Sequence, residues 1–258
     1  MKIKLDIGEY ICMRNLKLVI EYDGSRYKGW QKLGDNEWTI QGKLEGVLSK
    51  MCGEKIDVIG CGRTDAGVHA ENYVANFHTT SMFSEDMIMD YLYEFLPEDI
   101  VVKSVEEVDE RFHSRYNAKS KTYVYKINNN RVRNVFNRKY VYQIEEKLDI
   151  DKMKEASKCF IGTHDFQSFT TLKSKKKSTV RTINYINFIE DNDYIEIELN
   201  GDGFLWNMVR IIVGTLIEVG TKNLKSENVN KILDKKKREE AGPIAKAKGL
   251  ALRHVEYI

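Results

Sequence analysis

The apolar residues of this chain switch between a two-residue and a 3.6-residue period in the same order twice, and that alternation constrains the fold more than any other feature. Leu16, Leu18 and Ile20 alternate as a strand does, and EYDGS ends the run with turn chemistry. From Ile40 to Met51, the residues Ile40, Leu44, Val47, Leu48 and Met51 draw one helical stripe. Strand-like runs at 56–60 and 73–78 bracket a glycine-flanked segment, Gly62 to Gly67. Ser84 then caps a helix whose apolar face carries Ile88, Tyr91, Leu92 and Phe95, and Pro97 stops it before a strand at 100–105. The first half therefore reads β-α-β-β-α-β.

The second half repeats this order with decoration. A strand at 122–127, a helix near 150–161 and a strand pair at 183–189 and 194–199 lead into a long apolar helix at about 204–219, ending at Gly220. A short helix from Ser226 to about Lys236 precedes a closing strand at 250–257. The halves share an order of elements and no sequence repeat, so two split βαβ units are the simplest architecture. The expected fold class is α+β, and the expected domains are 1–112 and 113–258, divided where an acidic run gives way to RFHSRYNAKSK. At 258 residues the chain can bury roughly 70 to 75% of its unfolded surface, so no disulfide or metal staple is required.

Composition removes several function classes. No apolar run approaches the roughly 18 residues of a membrane span, and MKIKLDIGEYICMRN lacks the apolar core of a signal peptide, so the expected location is the cytoplasm. Cys12, Cys52, Cys61 and Cys159 are far apart with no CxxC pair, which argues against a zinc site. No HExxH, P-loop or complete GxGxxG is present, and no metal or nucleotide cofactor is expected. The net charge of +2 conceals basic clusters at Arg131, Arg133, Arg138 and Lys139, at Lys173, Lys175, Lys176 and Lys177, and at Lys235, Lys236, Lys237 and Arg238. Three such clusters in one half point to an anionic partner, although each alone reads equally as a solvated face.

Gly60-Cys61-Gly62-Arg63-Thr64-Asp65-Ala66-Gly67-Val68-His69 is the most informative segment. Its glycines permit a tight excursion carrying an arginine, a threonine, an aspartate and a histidine. Arg63 and Asp65 can pair, which would favour an ionised, nucleophilic carboxylate; equally, Asp65 can close an Asx-turn with Arg63 on the surface. Tyr123 and Tyr125 share one face of a strand beside Lys119 and Lys121, a pattern that suits an unstacked base or an ordinary half-buried sheet. Arg210 lies on an apolar helix and needs either a carboxylate or a snorkelling route to water.

EYDGSRYKGWQ, GRTDAGVHA, LPEDI, RFHSRYNAKSKTYVY, GTHDFQSF, GFLWNMVRIIVGTLIEVG and AKGLALRHVEY occur in the order and at the spacings of the tRNA pseudouridine synthase A family, which the chain resembles over nearly its whole length. The resemblance implies two α/β subdomains of related topology, with mainly antiparallel sheets flanking a central cleft. It implies isomerisation of uridine to pseudouridine in RNA, most typically at anticodon-arm positions 38–40, without a cofactor. It assigns catalysis to Asp65, Arg63 and Arg210, with Arg210 pairing the aspartate, and stacking on the target uracil to Tyr123. Arg115, which lies where the halves join, and Leu250 are the further substrate-binding candidates. The implied partners are tRNA and a second copy of the chain, with no membrane.

The sequence departs from the family pattern at Asn72 and Tyr73, where many members have Gly and Gln, and at Tyr93, where many have Asn. These departures are expected to alter surface near the loop. They leave open a paralogue acting on ribosomal RNA or on another tRNA site. A non-catalytic RRM-like binder is a more remote alternative, since no RNP1-like sequence occurs, and a carboxylate glycosidase would want two carboxylates where only Asp65 is marked.

Overall fold

The computed structural model describes residues 2–4, 10–34, 38–172 and 178–257. The cluster at Lys173, Lys175, Lys176 and Lys177 lies outside the described residues, as does the side chain of Cys12. The chain divides into two compact units, residues 1–119 with 253–258 and residues 120–252.

The first unit opens with an antiparallel pair, β1 (Lys2–Lys4) and β2 (Tyr10–Cys12). β3 (Arg14–Tyr22) follows, with Leu16, Leu18 and Ile20 fully buried on one face. α1 (Ile40–Cys52) starts where the Thr39 hydroxyl accepts from the Gly42 N–H, and it stops where Gly53 turns left-handed. β4 (Ile59–Gly60) and β5 (His69–Thr79) bracket the glycine-flanked segment, as their sequence predicts. α2 (Glu85–Phe95) is capped by Ser84, buries Ile88 and Leu92, and gives way at Pro97 to β6 (Ile100–Val108). β3 lies between β5 and β6, antiparallel to both, and β4 pairs with the other edge of β5.

The second unit begins with β7 (Ser120–Asn128), to which the two-residue β8 (Tyr142–Gln143) adds in parallel. α3 (Ile150–Ser157) ends in a 3₁₀ turn, and β9 (Gly162–Asp165), β10 (Val180–Asp191) and β11 (Tyr194–Gly201) run antiparallel in the order β7-β11-β10-β9. α4 (Met208–Gly220) and α5 (Ser226–Lys235) precede β12 (Leu250–Glu256), which starts in the second unit and ends in the first. The fold is α+β with mainly antiparallel sheets, and the βαββαβ order holds in both halves, with β8, β9 and α5 as additions to the second.

Two expectations need correction. The long helix begins at Met208, not near residue 204, because Asn207 sits in the left-handed region at φ 61 and breaks the helical path before it. Leu205 is buried from the preceding loop, so its apolar spacing imitates helix without being helix. β9 escaped the periodicity because GTHD carries no apolar alternation.

Candidate active site

The segment between β4 and β5 is held by backbone contacts that allow it one path. Asp65 C=O accepts from the Val68 N–H at 3.1 Å, and Gly67 at φ 76 takes the position where a type II turn demands a positive φ. Thr64 faces inward, its hydroxyl 2.8 Å from the Tyr22 hydroxyl, while its C=O accepts from the Trp30 N–H at 3.1 Å. Gly29, at φ 99, lies against this backbone so closely that a Cβ there would stand 2.5 Å from Thr64 O. A Cβ on Gly24 would stand 2.0 Å from Val68 O. The glycines of DGSRYKGW therefore exist to admit GRTDAGV, and the two motifs form one structure. Below the segment, Tyr73 stacks on Trp30 with ring centroids 3.9 Å apart, and its hydroxyl bonds the Gly62 carbonyl. Asp65, partly exposed, thus projects from a backbone that has little freedom to move.

Arg63 makes no ion pair with Asp65, contrary to the pairing its spacing allows. Its Nε instead donates to Gln31 Oε1 at 3.0 Å. Gln31 is itself fixed, donating from Nε2 to Gln41 Oε1 at 2.7 Å, and Gln41 donates to the buried Glu45 at 2.9 Å. This amide relay fixes the arginine's Nε. Arg63 and Arg115 line one cavity of about 170 Å³. Among the described residues neither forms an ion pair with a carboxylate, so both cations are available to an anion that enters the cavity. His113 Nδ1 accepts from the Arg115 and Tyr116 N–H groups at 3.1 and 3.3 Å, and its ring lies 4.2 Å from that of Tyr116, which is 78% exposed. Cavity, cations and an open aromatic face together suit a nucleotide phosphate and its base.

Tyr123, Arg210 and Leu250 belong to the second unit. Tyr123 on β7 is 9% exposed and meets the Phe204 ring edge-on at 5.2 Å. Tyr125 on the same face is wholly buried, with its hydroxyl donating to Lys246 O at 2.8 Å. Burial raises its pKa, the neighbouring Tyr142 adds to the rise, and Arg210 opposes it. Tyr125 is a packing residue, and only Tyr123 remains as a stacking candidate on that strand. Arg210, in the first turn of α4, donates from Nε to Ala245 O at 2.7 Å and from Nη1 to Asn207 Oδ1 at 3.0 Å. The left-handed Asn207 that ends the preceding loop thereby also aims the guanidinium. Leu250 is buried at the start of β12.

The family model described as tRNA pseudouridine synthase matches residues 18–117 and 156–258. The chain belongs to the tRNA pseudouridine synthase family. Among its relatives, tRNA pseudouridine synthase A 1 of Clostridium tetani is 62% identical over 95% of this chain and 100% of its own length. tRNA pseudouridine synthase A 2 of Bacillus cereus strain ZK / E33L is 51% identical over the same shares, and a second C. tetani protein, tRNA pseudouridine synthase A 2, is 49% identical over 95% and 99%. A solved chain from a Cbf5-Nop10-Gar1 complex aligns with a TM-score of only 0.34 at 13% identity, over 78% of this chain and 45% of that one. Tyr123 falls between the two segments that match the tRNA pseudouridine synthase model, whereas Arg63, Asp65, Arg115, Arg210 and Leu250 fall inside them.

Two of this synthase-family chain's departures bear on the fold itself. Tyr73 does not alter surface: it is fully buried and props the loop. Asn72 donates to Arg253 O at 2.9 Å and accepts from Lys103 Nζ at 2.9 Å, bracing the end of β12 within the first unit. Tyr93 does lie on the surface, well exposed on α2. The supporting residues Tyr22, Gly29, Trp30 and Gln31 lie in EYDGSRYKGWQ and Tyr73 follows GRTDAGVHA, but the supporting role of each emerges only from the close packing of the two distant segments. Among the described residues no group of three or more His, Cys, Asp or Glu side chains is placed to hold a metal, and no helix is long and apolar enough to cross a membrane.

Proposed function

We propose that this chain isomerises uridine to pseudouridine in the anticodon arm of tRNA, at positions 38–40, with Asp65 as the catalytic carboxylate. As a member of its family the chain is a pseudouridine synthase acting on tRNA uridines. The reaction conserves the atoms of the nucleoside: the bond from C1′ to N1 breaks, the uracil turns, C1′ joins C5, and the proton leaving C5 is balanced by one gained at N1. An anion must open the sequence, whether by attack at C6, attack at C1′ or removal of the 2′ proton. The observation that carries the proposal is the locked loop that presents Asp65 two residues from an arginine-lined cavity. A carboxylate held in place before substrate arrives needs no reorganisation during reaction.

Arg63 and Arg115 then take phosphates of the extruded nucleotide's strand, and Tyr123 stacks on the target base, which must leave its helical stack to be reached. Arg210 serves as the cationic partner of the reacting carboxylate, and Leu250 gives the base an apolar wall. We further assign the chain to the cytoplasm as a homodimer. The division of labour follows 1–112 for the carboxylate loop and 113–258 for the stacking tyrosine and the helix arginine. A paralogue with another target remains in view because C. tetani carries two relatives of this chain.

Mapping pseudouridines in tRNA and ribosomal RNA of cells with the gene, without it, and with Asp65→Asn decides between these readings. Loss at 38–40 in both altered strains is expected. A signal that persists in the Asp65→Asn strain removes Asp65 from its role, and a loss confined to ribosomal RNA replaces the target.

A further inference from the structure

The segment from 130 to 140, between β7 and β8, is an ordered arm that exposes what folded chains normally bury. Phe136 is 92% exposed, with Val132 and Val135 exposed beside it. The arm is nonetheless built. Asn130 Oδ1 accepts from the Val132 N–H at 2.8 Å, and Asn134 Oδ1 accepts from the Phe136 and Asn137 N–H groups at 3.0 and 3.2 Å. Asn134 Nδ2 in turn donates to the Tyr194 hydroxyl at 3.0 Å, tying the arm to the β10–β11 hairpin, and Lys248 Nζ donates to Arg138 O at 3.0 Å. An aromatic ring held out from a pinned turn has already lost the freedom that binding would otherwise remove.

The arm's charge selects its occupant. Arg131, Arg133, Arg138 and Lys139 interleave with the apolar residues, and no acidic residue occurs from 129 to 144. Arg133 reaches Glu145 only at 3.5 Å, and Arg131 has no ion pair among the described residues. The basic cluster at the end of α5 differs, because there Lys235 pairs with Glu240 and Lys236 with Asp165, both at 2.8 Å. A two-fold contact between arms of two copies would set these cations against themselves, whereas a phosphate backbone complements them. The arm also lies in the stretch 118–155 that the family model leaves unmatched.

We propose that the 130–140 arm binds an unpaired nucleotide of the tRNA other than the one isomerised, its base stacked on Phe136 and its flanking phosphates held by Arg131 and Arg138. This rests on the reading of RNA as substrate. The test uses the full chain and unmodified tRNA as probe, with Phe136→Ala, Phe136→Leu, Phe136→Tyr and Arg131→Ala. Affinity, sedimentation and wild-type isomerisation are measured side by side. Stacking predicts that both Ala and Leu weaken tRNA binding by about tenfold while Tyr retains it. Arg131→Ala should lower the slope of log affinity against log salt by about one. Sedimentation should match wild type throughout. Unchanged affinity in Phe136→Ala, with wild type still isomerising tRNA, overturns the arm and spares the enzyme reading. A changed sedimentation mass in Phe136→Ala, with affinity kept in Leu, overturns it in favour of a contact between copies. Lost affinity in Phe136→Ala beside a wild type that isomerises nothing upholds the arm and overturns the enzyme reading.

Discussion

Gln31 aims Arg63: its Oε1 accepts from the guanidinium Nε at 3.0 Å, from a position itself set by Gln41 and, through Gln41, by the buried Glu45. The loop arginine is thus oriented by a neutral amide, which leaves its charge available to an anion where a carboxylate would have consumed it. Gln31→Ala should free the side chain and lower kcat/KM for tRNA by about fivefold, the worth of one hydrogen bond to an exposed cation. Gln31→Glu should do more harm than Ala, since it neutralises the arginine. Steady-state kinetics on both variants check this, and wild-type values in the pair would show that the relay does not orient Arg63.

Gly29→Ala places a Cβ 2.5 Å from Thr64 O at a backbone φ of 99, so two penalties fall on one residue. Strain of this kind is worth roughly 1 to 3 kcal/mol, or a fall in melting temperature of about 3 to 10 °C. Turnover should fall further than the lost stability explains at the assay temperature, because the displaced backbone carries Asp65. Gly34→Ala is the control, with a positive φ of 56 but nothing within 4 Å of its Cβ. Equal effects at the two glycines would show that contact with the loop is irrelevant.

Tyr73→Phe keeps the stack on Trp30 and removes the hydroxyl that bonds Gly62. The loss is about 1 kcal/mol, a drop of roughly 2 to 4 °C in melting temperature. Tyr73→Gln also removes the ring and leaves a cavity, so it should fall about 3 kcal/mol below wild type. Calorimetry on the two variants distinguishes the contributions, and a Gln variant as stable as wild type would mean that Tyr73 props nothing.

Much of the fold was legible because its signals are local. The stripe of Ile40, Leu44 and Leu48, the Ser84 cap and the Pro97 stop each act within a few residues, and all appear where the pattern puts them. Leu205, within the stretch 204–219 expected to be helical, lies in a loop: an apolar residue buried from a loop has the same spacing as one on a helix. Asn207, whose φ of 61 decides the true boundary, is an ordinary residue type whose left-handed backbone no pattern announces.

By itself, the order of residues determined the βαββαβ order of the main elements, the α+β class and the GRTDAGVHA segment with its arginine, aspartate and glycines. These depend on periodicity and turn chemistry, which act between near neighbours. Tertiary structure decided that Arg63 answers to Gln31 and not to Asp65, that Tyr73 lies beneath the loop, and that Phe136 stands in solvent. Those outcomes turn on which distant segments touch, as when the bare backbone of Gly29 admits Thr64, and no spacing along the chain encodes a contact between residues 35 positions apart.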